Sequence, residues 1–374
     1  MSRTLPWLNG NEDPRKYWNF EELKNPPHYE IDHDPRSAHE NMTSVICDGV
    51  MENGRRTKFF AYIAYPDGEM PDGGWPGIVL VHGGGGTAFA WAVELWRSYG
   101  YAVIAPDWYG RRPLNDDRIK EPGETIRPYV AFDRPHHYDD QNAHITNAAN
   151  LVLAHSLLLS LEKVNTAKTA YIGLSWGSWY GAIVTAIDPR FRGIIEIYLG
   201  DRKDNDLFIN GRFLHAAKCP MYYVVGTNDS HGSPETLQAA FDACGGMLGN
   251  RTMIVELPHS HQGFRFSACR RYADAVLYGV PGLPRLGKTA VENGRISADV
   301  KDEGKGIKQV HLCFTTDRQE GYPNRRKWQM LPAEYCGGKI SAGLPENVFQ
   351  CFLSACDEET ADGYCCGTGD VITL

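Results

Sequence analysis

Short apolar runs that alternate with longer segments constrain this sequence more than any other feature. Each run is bounded by Gly, Pro or Asp, as expected for strands buried on both faces of a parallel sheet. The runs lie at residues 77–84, 101–107, 169–175, 193–200, 221–229 and 251–259. Segments of helical length lie at residues 87–100, 144–164, 176–188, 233–246 and 263–279. This alternation predicts an α/β fold, with a mostly parallel sheet and helices on both of its faces.

The two ends of the chain depart from this alternation. Residues 1–45 are rich in Pro, Asp, Glu, His and Asn and predict an extended arm over the main domain. Residues 46–287 form the predicted α/β domain. Residues 288–374 carry short strand-forming stretches separated by Gly, Pro and Asn, without helical segments. They predict a small C-terminal β-sandwich-like domain.

Composition excludes several classes of protein. Of the 374 residues, 42% are hydrophobic and 22% charged, as in ordinary globular proteins. The formal net charge of -8 gives no electrostatic footprint for nucleic acid. No run reaches the roughly 18 apolar residues that span a bilayer, so we expect no membrane partner. The N-terminus lacks the apolar stretch of about 7–15 residues in a signal peptide, which favours a cytoplasmic location.

Ten cysteines are present, and six of them lie in the last quarter of the chain. Without an export signal, disulfides are not expected. The absence of any CxxC pair argues against a zinc site. We therefore expect free thiols that pack as small hydrophobic side chains.

Ser175 lies in Gly173-Leu174-Ser175-Trp176-Gly177, where an apolar run meets a helical segment. A strand–turn–helix elbow of this kind exposes the serine hydroxyl above the sheet as a nucleophile. The alternative is a serine that caps the helix N-terminus. A serine hydroxyl is a poor nucleophile near neutral pH, so it needs a base and an acid that orients the base.

The acid and the base should follow the serine in that order, each at the carboxyl end of a strand. Asp229 ends one apolar run and is favoured over Asp201, which begins a polar loop. His259 and His261 both follow the last run, and position favours His259 without settling the pair. His231 is out of order for the base and is interpreted as a loop residue.

A glycine run, residues 83–86, directly follows a central strand. Glycine lets backbone N–H groups approach a substrate, so Gly84 and Gly85 are predicted to form an oxyanion hole with the N–H of Trp176. A phosphate-binding loop is the alternative, but no lysine precedes Thr87. Dinucleotide binding is a further alternative, but the consecutive glycines match its GxGxxG motif only loosely. Only Asp107 could serve as the acidic residue that binds the ribose. The sequence thus predicts neither a metal nor an organic cofactor.

Together these residues resemble the α/β-hydrolase superfamily over residues 77–286. The stretches VHGGGGTAFAWAVELWRSYGYAVIAPDWYG, GTNDSHGSPETLQAAFDA and LPHSHQGF are similar to the acetylxylan-esterase-like and dienelactone-hydrolase-like group. The stretches KWQMLPAEY and ISAGLP resemble that group's β-rich C-terminal extension. The resemblance implies an esterase with Asp229 as the acid and His259, the first histidine of the HxH pair, as the base. Dienelactone hydrolases carry cysteine in place of Ser175, and the defined acetylxylan esterases carry Gln beside the serine, where this chain has Trp176.

Aromatic side chains gather near the same strand ends. The faces of a sugar ring suit the aromatic side chains here, which are those of Trp108, Tyr109, Trp176 and Trp179. Trp108, Tyr109 and Trp179 are assigned to substrate binding together with His261, and packing in the core is the alternative for the aromatics. The long polar segment 111–144 predicts a lid or substrate wall with His136 and His137 near the pocket, or else a solvated loop.

We therefore expect a serine carboxylesterase that removes a small acyl group, acetyl above all, from a carbohydrate. Its expected partner is a small-molecule or oligosaccharide ester, and the C-terminal domain could bind carbohydrate, cover the main domain or build a homo-oligomer. A prolyl-oligopeptidase-like peptidase is the enzymatic alternative, although the arm is far too short for a propeller. A carbohydrate-binding pseudo-hydrolase is the non-enzymatic alternative, but no triad member is missing.

Overall fold

The structure, a computed structural model, describes residues 12–114, 129–131, 141–199, 213–319, 322–357 and 365–374. Its centre is a nine-stranded sheet. The strands of the N-terminal part of the chain are β1 (Tyr29–Ile31), β2 (Thr43–Glu52), β3 (Arg55–Ala64), β4 (Trp75–Val81), β5 (Ala102–Asp107), β6 (Arg111–Pro113), β7 (Tyr129–Ala131), β8 (Val164–Leu174), β9 (Gly193–Ile197), β10 (Met221–Gly226) and β11 (Leu248–Ile254). All of these except β6 and β7, which pair with each other, belong to the central sheet.

The central sheet has the strand order β1-β2-β3-β5-β4-β8-β9-β10-β11. Strands β5, β4, β8, β9, β10 and β11 are parallel to their neighbours in this series. The antiparallel strands β1, β2 and β3 complete one side. The predicted mostly parallel sheet is confirmed. Because the carboxyl ends of parallel strands share one edge, the loops after β4, β5, β8, β10 and β11 meet there.

Helices cover both faces of this sheet, as the sequence predicted. They are α1 (Phe20–Leu23), α2 (Ala90–Ser98), α3 (Gln141–Ser160), α4 (Trp176–Ile187), α5 (Pro234–Ala243) and α6 (Ser267–Tyr278). Buried side chains of α3, α4 and α5 belong to the hydrophobic core on one face. Those of α2 and α6 belong to a second core on the other face. The sheet is thus buried on both sides, which explains why its central strands are apolar at consecutive positions.

Two antiparallel sheets follow in the C-terminal region, here called the β module. Its strands are β12 (Arg285–Glu292), β13 (Arg295–Asp302), β14 (Gln309–Thr315), β15 (Gln329–Pro332), β16 (Glu334–Cys336), β17 (Lys339–Gly343), β18 (Gln350–Cys356), β19 (Cys366–Thr368) and β20 (Ile372–Thr373). One sheet has the order β12-β13-β17-β16, and the other has β15-β14-β18-β19 with β20 also paired to β18. Ile296 and Ile340 of the first sheet share a core with Leu312 and Leu353 of the second. The β-rich C-terminal region is therefore a pair of packed antiparallel sheets.

The β module packs along β11, the last strand of the central sheet. The backbone N–H of Met253 donates to Thr368 Oγ1 at 3.2 Å. The guanidinium of Arg251 donates to Asp370 Oδ1 at 2.7 Å and to the carbonyl of Gly369 at 3.0 Å. An edge strand otherwise leaves backbone groups open for pairing with another chain. The module covers such groups of β11.

The expectation that the chain forms no disulfide is wrong for one pair. Cys356 and Cys366 form a disulfide between β18 and β19. These two residues lie opposite each other in the antiparallel register, which brings their Cα atoms to 4.1 Å. The sequence spacing could not show this register. The other described cysteines lie outside this disulfide, and all except Cys336 are buried, in agreement with the packing prediction.

The segment before residue 45 contributes more than an extended arm. Its strand β1 pairs with β2 and so extends the central sheet. Trp18 is buried, and its Nε1 donates to the carbonyl of Ile145 at 2.9 Å. Trp18 thereby fastens the segment to α3.

Within the described residues, none of the helices has the length and apolar character that crossing a membrane would require.

Candidate active site

Ser175 forms the turn between β8 and α4. Its backbone has φ 55° and ψ -114°, a left-handed conformation that is costly for a residue with a side chain. The N–H of Ser175 donates to the carbonyl of Ile197 on β9 at 2.8 Å, and its carbonyl accepts from the N–H of Trp179 at 3.0 Å. The Ser175 side chain makes no capping hydrogen bond to α4. The helix-capping alternative therefore fails, and the geometry is that of a nucleophile elbow.

Two glycines make this turn sterically possible. A Cβ on Gly173 would lie 2.3 Å from the carbonyl oxygen of Gly177. A Cβ on Gly177 would lie 2.3 Å from the carbonyl oxygen of Val81 at the end of β4. Both contacts are with backbone atoms, which cannot rotate away. Glycine at each position lets α4 begin directly against the end of β4.

Asp229 and His259 meet at the carboxyl edge, after β10 and β11. Nδ1 of His259 lies 3.0 Å from both carboxylate oxygens of Asp229. Burial by itself would raise the pKa of Asp229, but hydrogen bonds from His231 and His259 outweigh burial and hold the pKa below its usual value. Asp229 is thus a carboxylate that can orient the His259 ring and stabilise its charged form.

The two other nearby histidines lie in different positions. His261 begins a 3-10 turn (His261–Arg265), and its ring packs against Phe89 with centroids 5.0 Å apart. The backbone N–H of His231 donates to Asp229 Oδ1 at 2.7 Å, while its half-exposed ring lies beside that of His259. The contact with Asp229 therefore favours His259 over His261 as the base.

Tyr198 links the serine and histidine regions. It follows Ile197, whose carbonyl accepts from Ser175, and its ring lies 4.6 Å from that of His259 between centroids. Ser175 Oγ and His259 form no hydrogen bond among the contacts of the described residues. Such bonds are often long in substrate-free enzymes and tighten when the substrate binds.

The predicted oxyanion loop lies against the elbow. A Cβ on Gly83 would lie 3.1 Å from Cβ of Ser175. Gly86 donates its N–H to the carbonyl of Gly83 at 3.2 Å, which closes a tight turn. Gly84 and Gly85 at its tip are partly exposed, whereas Gly83 is buried. Trp176 is the first residue of α4, where backbone N–H groups point out of the helix end. The arrangement can present N–H groups from both sides of Ser175.

Asp107 fixes this loop, a role that sequence reasoning missed. One carboxylate oxygen of Asp107 accepts from the Thr87 hydroxyl after the glycines and lies 3.5 Å from Nε2 of His82 before them. The other oxygen accepts from the N–H of Tyr109 at 2.8 Å. Asp107 thus holds both ends of the glycine loop to the end of β5. The available signal was an acidic residue at the last position of a buried strand.

Three of the four residues proposed for substrate binding are buried. Trp108, Tyr109 and Trp179 are each at most 4% exposed. Trp108 donates its Nε1 to the carbonyl of His82 at 2.9 Å, and its ring stacks on that of Tyr109. This burial supports the packing alternative, because a buried ring has no face for a sugar. The fourth residue, His261, is half-buried against Phe89.

Trp176 is the half-buried aromatic residue at the elbow itself. Its ring lies parallel to that of His144, with an interplanar angle of 3° and centroids 5.4 Å apart. Nδ1 of His144 forms a hydrogen bond of 2.8 Å with the Tyr180 hydroxyl. His144 on α3 thus fixes the Trp176 ring, a contact between distant segments that the sequence did not reveal.

The β module contacts the loop between β10 and α5, residues 227–233, through Asn228. This loop carries Asp229 and is called the acid loop below. The side-chain amide of Asn228 donates to the carbonyls of Asn324 at 2.8 Å and Arg326 at 2.9 Å. The buried guanidinium of Arg326 in turn lies 2.7 Å from Gln350 Oε1 and 2.7 Å from Glu235 Oε1. The residue before Asp229 is therefore clamped by the C-terminal region.

Glu196 is a buried carboxyl beneath the elbow. It is 0% exposed, and neither of its oxygens has a hydrogen-bond partner among the described residues. A Cβ on Gly181 of α4 would lie 2.3 Å from Glu196 Oε1. Burial raises the pKa of Glu196 well above its usual range, although the neighbouring Ser178 side chain acts to lower this pKa. Burial therefore favours the protonated form of Glu196 under the helix that carries Ser175.

Some of the sequence predictions concern residues outside the described part of the chain. These are Asp201, the alternative acid, and His136 and His137 of the predicted lid. Within that lid segment, β6 and β7 form an antiparallel pair. Arg112 of β6 forms an ion pair with Asp32 at 2.7 Å, which ties β6 to the N-terminal segment.

Comparison with known proteins agrees with the fold. The family described as the alpha/beta hydrolase family matches residues 78–335. An acetyl xylan esterase from Paenibacillus sp. R4 superposes with a TM-score of 0.55 at 16% identity, over 71% of this chain and 95% of that one. Acetyl xylan esterase 1 from Thermoanaerobacterium sp. JW/SL YS485 gives a TM-score of 0.47 at 14% identity, over 67% and 89%. No curated protein matches the sequence significantly.

Proposed function

The chain belongs to the alpha/beta hydrolase family, and from this premise we propose that it is a serine carboxylesterase. Its substrate would be a small acyl ester, acetyl above all, carried by a carbohydrate. The observation that carries the proposal is the strained Ser175 elbow on the same sheet edge as the His259–Asp229 pair. That combination supplies a nucleophile, a base and an orienting acid in the chain order of this family.

In the proposed reaction, Ser175 Oγ attacks the ester carbonyl while Nε2 of His259 accepts its proton. Asp229 holds the proton on Nδ1 of His259, which keeps Nε2 available, and stabilises the charged imidazolium. His259 then donates the proton to the departing alkoxide, leaving an acyl-enzyme on Ser175. Water, deprotonated by His259, releases the carboxylic acid and restores the serine.

The negative charge on the tetrahedral intermediate would be bound by backbone N–H groups. Trp176 supplies one donor, and Gly84 and Gly85 are the candidates for the second because they form the partly exposed tip of the loop. Losing one such donor typically costs about 3–4 kcal/mol of transition-state stabilisation. The contacts of Asp107 keep the loop that carries Gly84 and Gly85 in place before the substrate arrives.

The carbohydrate part of the proposal rests on a narrower set of observations. The resemblance of the sequence to the acetylxylan-esterase-like group supports it. The half-buried Trp176 ring, which is fixed by His144, offers one aromatic face at the nucleophile. Aromatic faces suit the C–H-rich faces of sugars, and Trp176 is therefore the residue proposed to contact the sugar.

Hydrolysis of p-nitrophenyl acetate by wild type and by Ser175→Ala tests the ester chemistry. We expect the variant to lose most of the kcat, by about 10⁴-fold or more. Equal rates would reject the proposal. A peptide p-nitroanilide carrying proline serves as the second substrate, and its preferred cleavage would favour the peptidase alternative.

Separate alanine variants of His259 and His261 test the base. We expect His259→Ala to lose kcat by several orders of magnitude, whereas His261→Ala keeps most of it. The opposite result would transfer the role of base to His261.

Acetate release from acetylated xylo- and manno-oligosaccharides tests the substrate class. Wild type should release acetate from at least one of them with a higher kcat/KM than from p-nitrophenyl acetate. Trp176→Ala should raise KM for the sugar ester more than for p-nitrophenyl acetate. An equal change for both substrates would argue against a sugar contact.

A further inference from the structure

A second use of the acid loop follows from the position of His231. Asp229, His231 and His259 form a group in which one ring nitrogen of each histidine and one carboxylate oxygen all lie within 4.8 Å of one another. This is an arrangement of donors that could hold a metal ion. The sequence alone indicated only that His231 lies in a loop. We propose that this group binds a zinc ion and that the bound ion reversibly inhibits the enzyme.

The distances fit a small tetrahedral ion. Donors about 2.0–2.2 Å from zinc in tetrahedral geometry lie roughly 3.3–3.6 Å from one another. Asp229 Oδ1 lies 3.6 Å from Nδ1 of His231, within this range, and 3.0 Å from Nδ1 of His259, slightly below it. A carboxylate and two imidazoles leave a fourth position for water. Modest rotation of the partly exposed His231 side chain would complete the set.

The chemistry of the donors selects the metal class. Two imidazole nitrogens and one carboxylate suit zinc and neighbouring divalent transition metals. Calcium and magnesium prefer oxygen ligands, so they should bind poorly here. The site is also reachable, because the side chain of His231 is 38% exposed and that of His259 is 15% exposed.

Binding at this position would disable the proposed triad. Zinc on Nδ1 of His259 requires the other neutral tautomer of the ring, so Nδ1 loses the proton that points to Asp229 and Nε2 takes one up through solvent. The ring then carries its single proton on Nε2 and cannot accept one from Ser175. The inhibitory part of the inference rests on the proposed function, whereas zinc binding does not.

His231 makes the two parts separable. Its contact with Asp229 in the resting structure includes a backbone N–H, which His231→Ala retains. His231→Ala also removes a side-chain contact that helps to lower the pKa of Asp229, so its inhibition by zinc is expressed relative to its own activity without zinc. His215→Ala removes another exposed histidine, remote in sequence from this loop, and is the matched control.

Calorimetric titration of zinc chloride into the full-length protein tests the site directly. We expect one zinc ion to bind wild type and His215→Ala equally, and His231→Ala to bind at least about tenfold more weakly. The zinc concentration that halves p-nitrophenyl acetate hydrolysis should rise by the same factor in His231→Ala, and EDTA should restore activity. Magnesium should cause no inhibition.

Two results would overturn the inference. Equal zinc affinity in wild type and His231→Ala would place the ion elsewhere. Full esterase activity at saturating zinc would reject inhibition. If the wild type hydrolysed no ester, the calorimetric comparison would still decide whether the site exists, so failure of the proposed function is distinguishable from failure of the zinc site.

Discussion

The serine and the acid of the proposed triad are held in place by different parts of the molecule. Ser175 is fixed within the α/β domain, by neighbouring strands and by glycines that let α4 begin against β4. Asp229 follows Asn228, whose amide is bound by two carbonyls of the β module. The comparison teaches that the proposed nucleophile is held within the α/β domain itself, whereas the residue before the proposed acid is held by the β module.

The largest effect is expected from the acid itself. Asp229→Asn keeps the size of the side chain but removes the charge that orients His259 and stabilises its protonated form. We expect kcat for p-nitrophenyl acetate to fall by about 10³–10⁴-fold with a normal circular dichroism spectrum. A loss below tenfold would show that the elbow works without this acid.

The next largest effect is expected from a substitution that disturbs the packing of the elbow. In Gly177→Ala the new methyl group would press on the backbone carbonyl of Val81, at 2.3 Å. Overpacking of this kind typically costs about 1–3 kcal/mol, so thermal denaturation should show a clearly lower Tm together with reduced kcat. Gly246→Ala, with no atom within 4 Å of the new Cβ, is the control and should leave Tm nearly unchanged. Equal Tm values for the two variants would contradict the steric account.

A smaller effect is expected at the contact between the β module and the acid loop. Asn228→Ala removes the two hydrogen bonds to Asn324 and Arg326 and frees the acid loop to shift. Small displacements of catalytic groups are costly, so kcat should fall about tenfold with little change in KM.

The control for this variant is a contact of the β module away from the loop. Asp370→Asn weakens the ion pair with Arg251 and should lower Tm without changing kcat. If Asp370→Asn and Asn228→Ala lowered kcat equally, the module would act only through overall stability.

The smallest effect is expected from Glu196 under the elbow. Its folded-state pKa is raised by burial, so the folded state keeps a proton that the unfolded state loses above about pH 4.3. The stability it contributes at low pH is therefore lost as pH rises towards the folded-state pKa. Glu196→Gln does not titrate, and its Tm relative to wild type should rise between pH 5 and pH 8. A constant difference across this range would show that Glu196 does not titrate as described.

Features of this molecule that depend on local sequence patterns could be predicted from the sequence. The strands, the elbow at Ser175 and the acid and histidine at strand ends follow from short, local patterns of apolar residues and glycine. The α/β fold with antiparallel C-terminal sheets was therefore predicted and is confirmed. The catalytic roles of Ser175, Asp229 and His259 stay predictions until they are tested by the variants above.

Contacts between distant segments could not be predicted in this way. Asn228 and Asn324 are 96 positions apart, and the disulfide of Cys356 with Cys366 depends on a strand register that no motif encodes. The burial of Trp108 and Tyr109 likewise depends on the shape of the core. Aromatic residues near a strand end have the same sequence signature whether they pack or bind.

Covalent labelling tests the central claim, that Ser175 is the nucleophile, most directly. A p-nitrophenyl alkylphosphonate reacts with an activated serine and leaves a stable adduct that peptide mass spectrometry can locate. We predict one adduct per chain, on the peptide that contains Ser175, formed much more slowly in Asp229→Asn than in wild type. Absence of an adduct, or an adduct on another residue at equal rate in both proteins, would contradict the account.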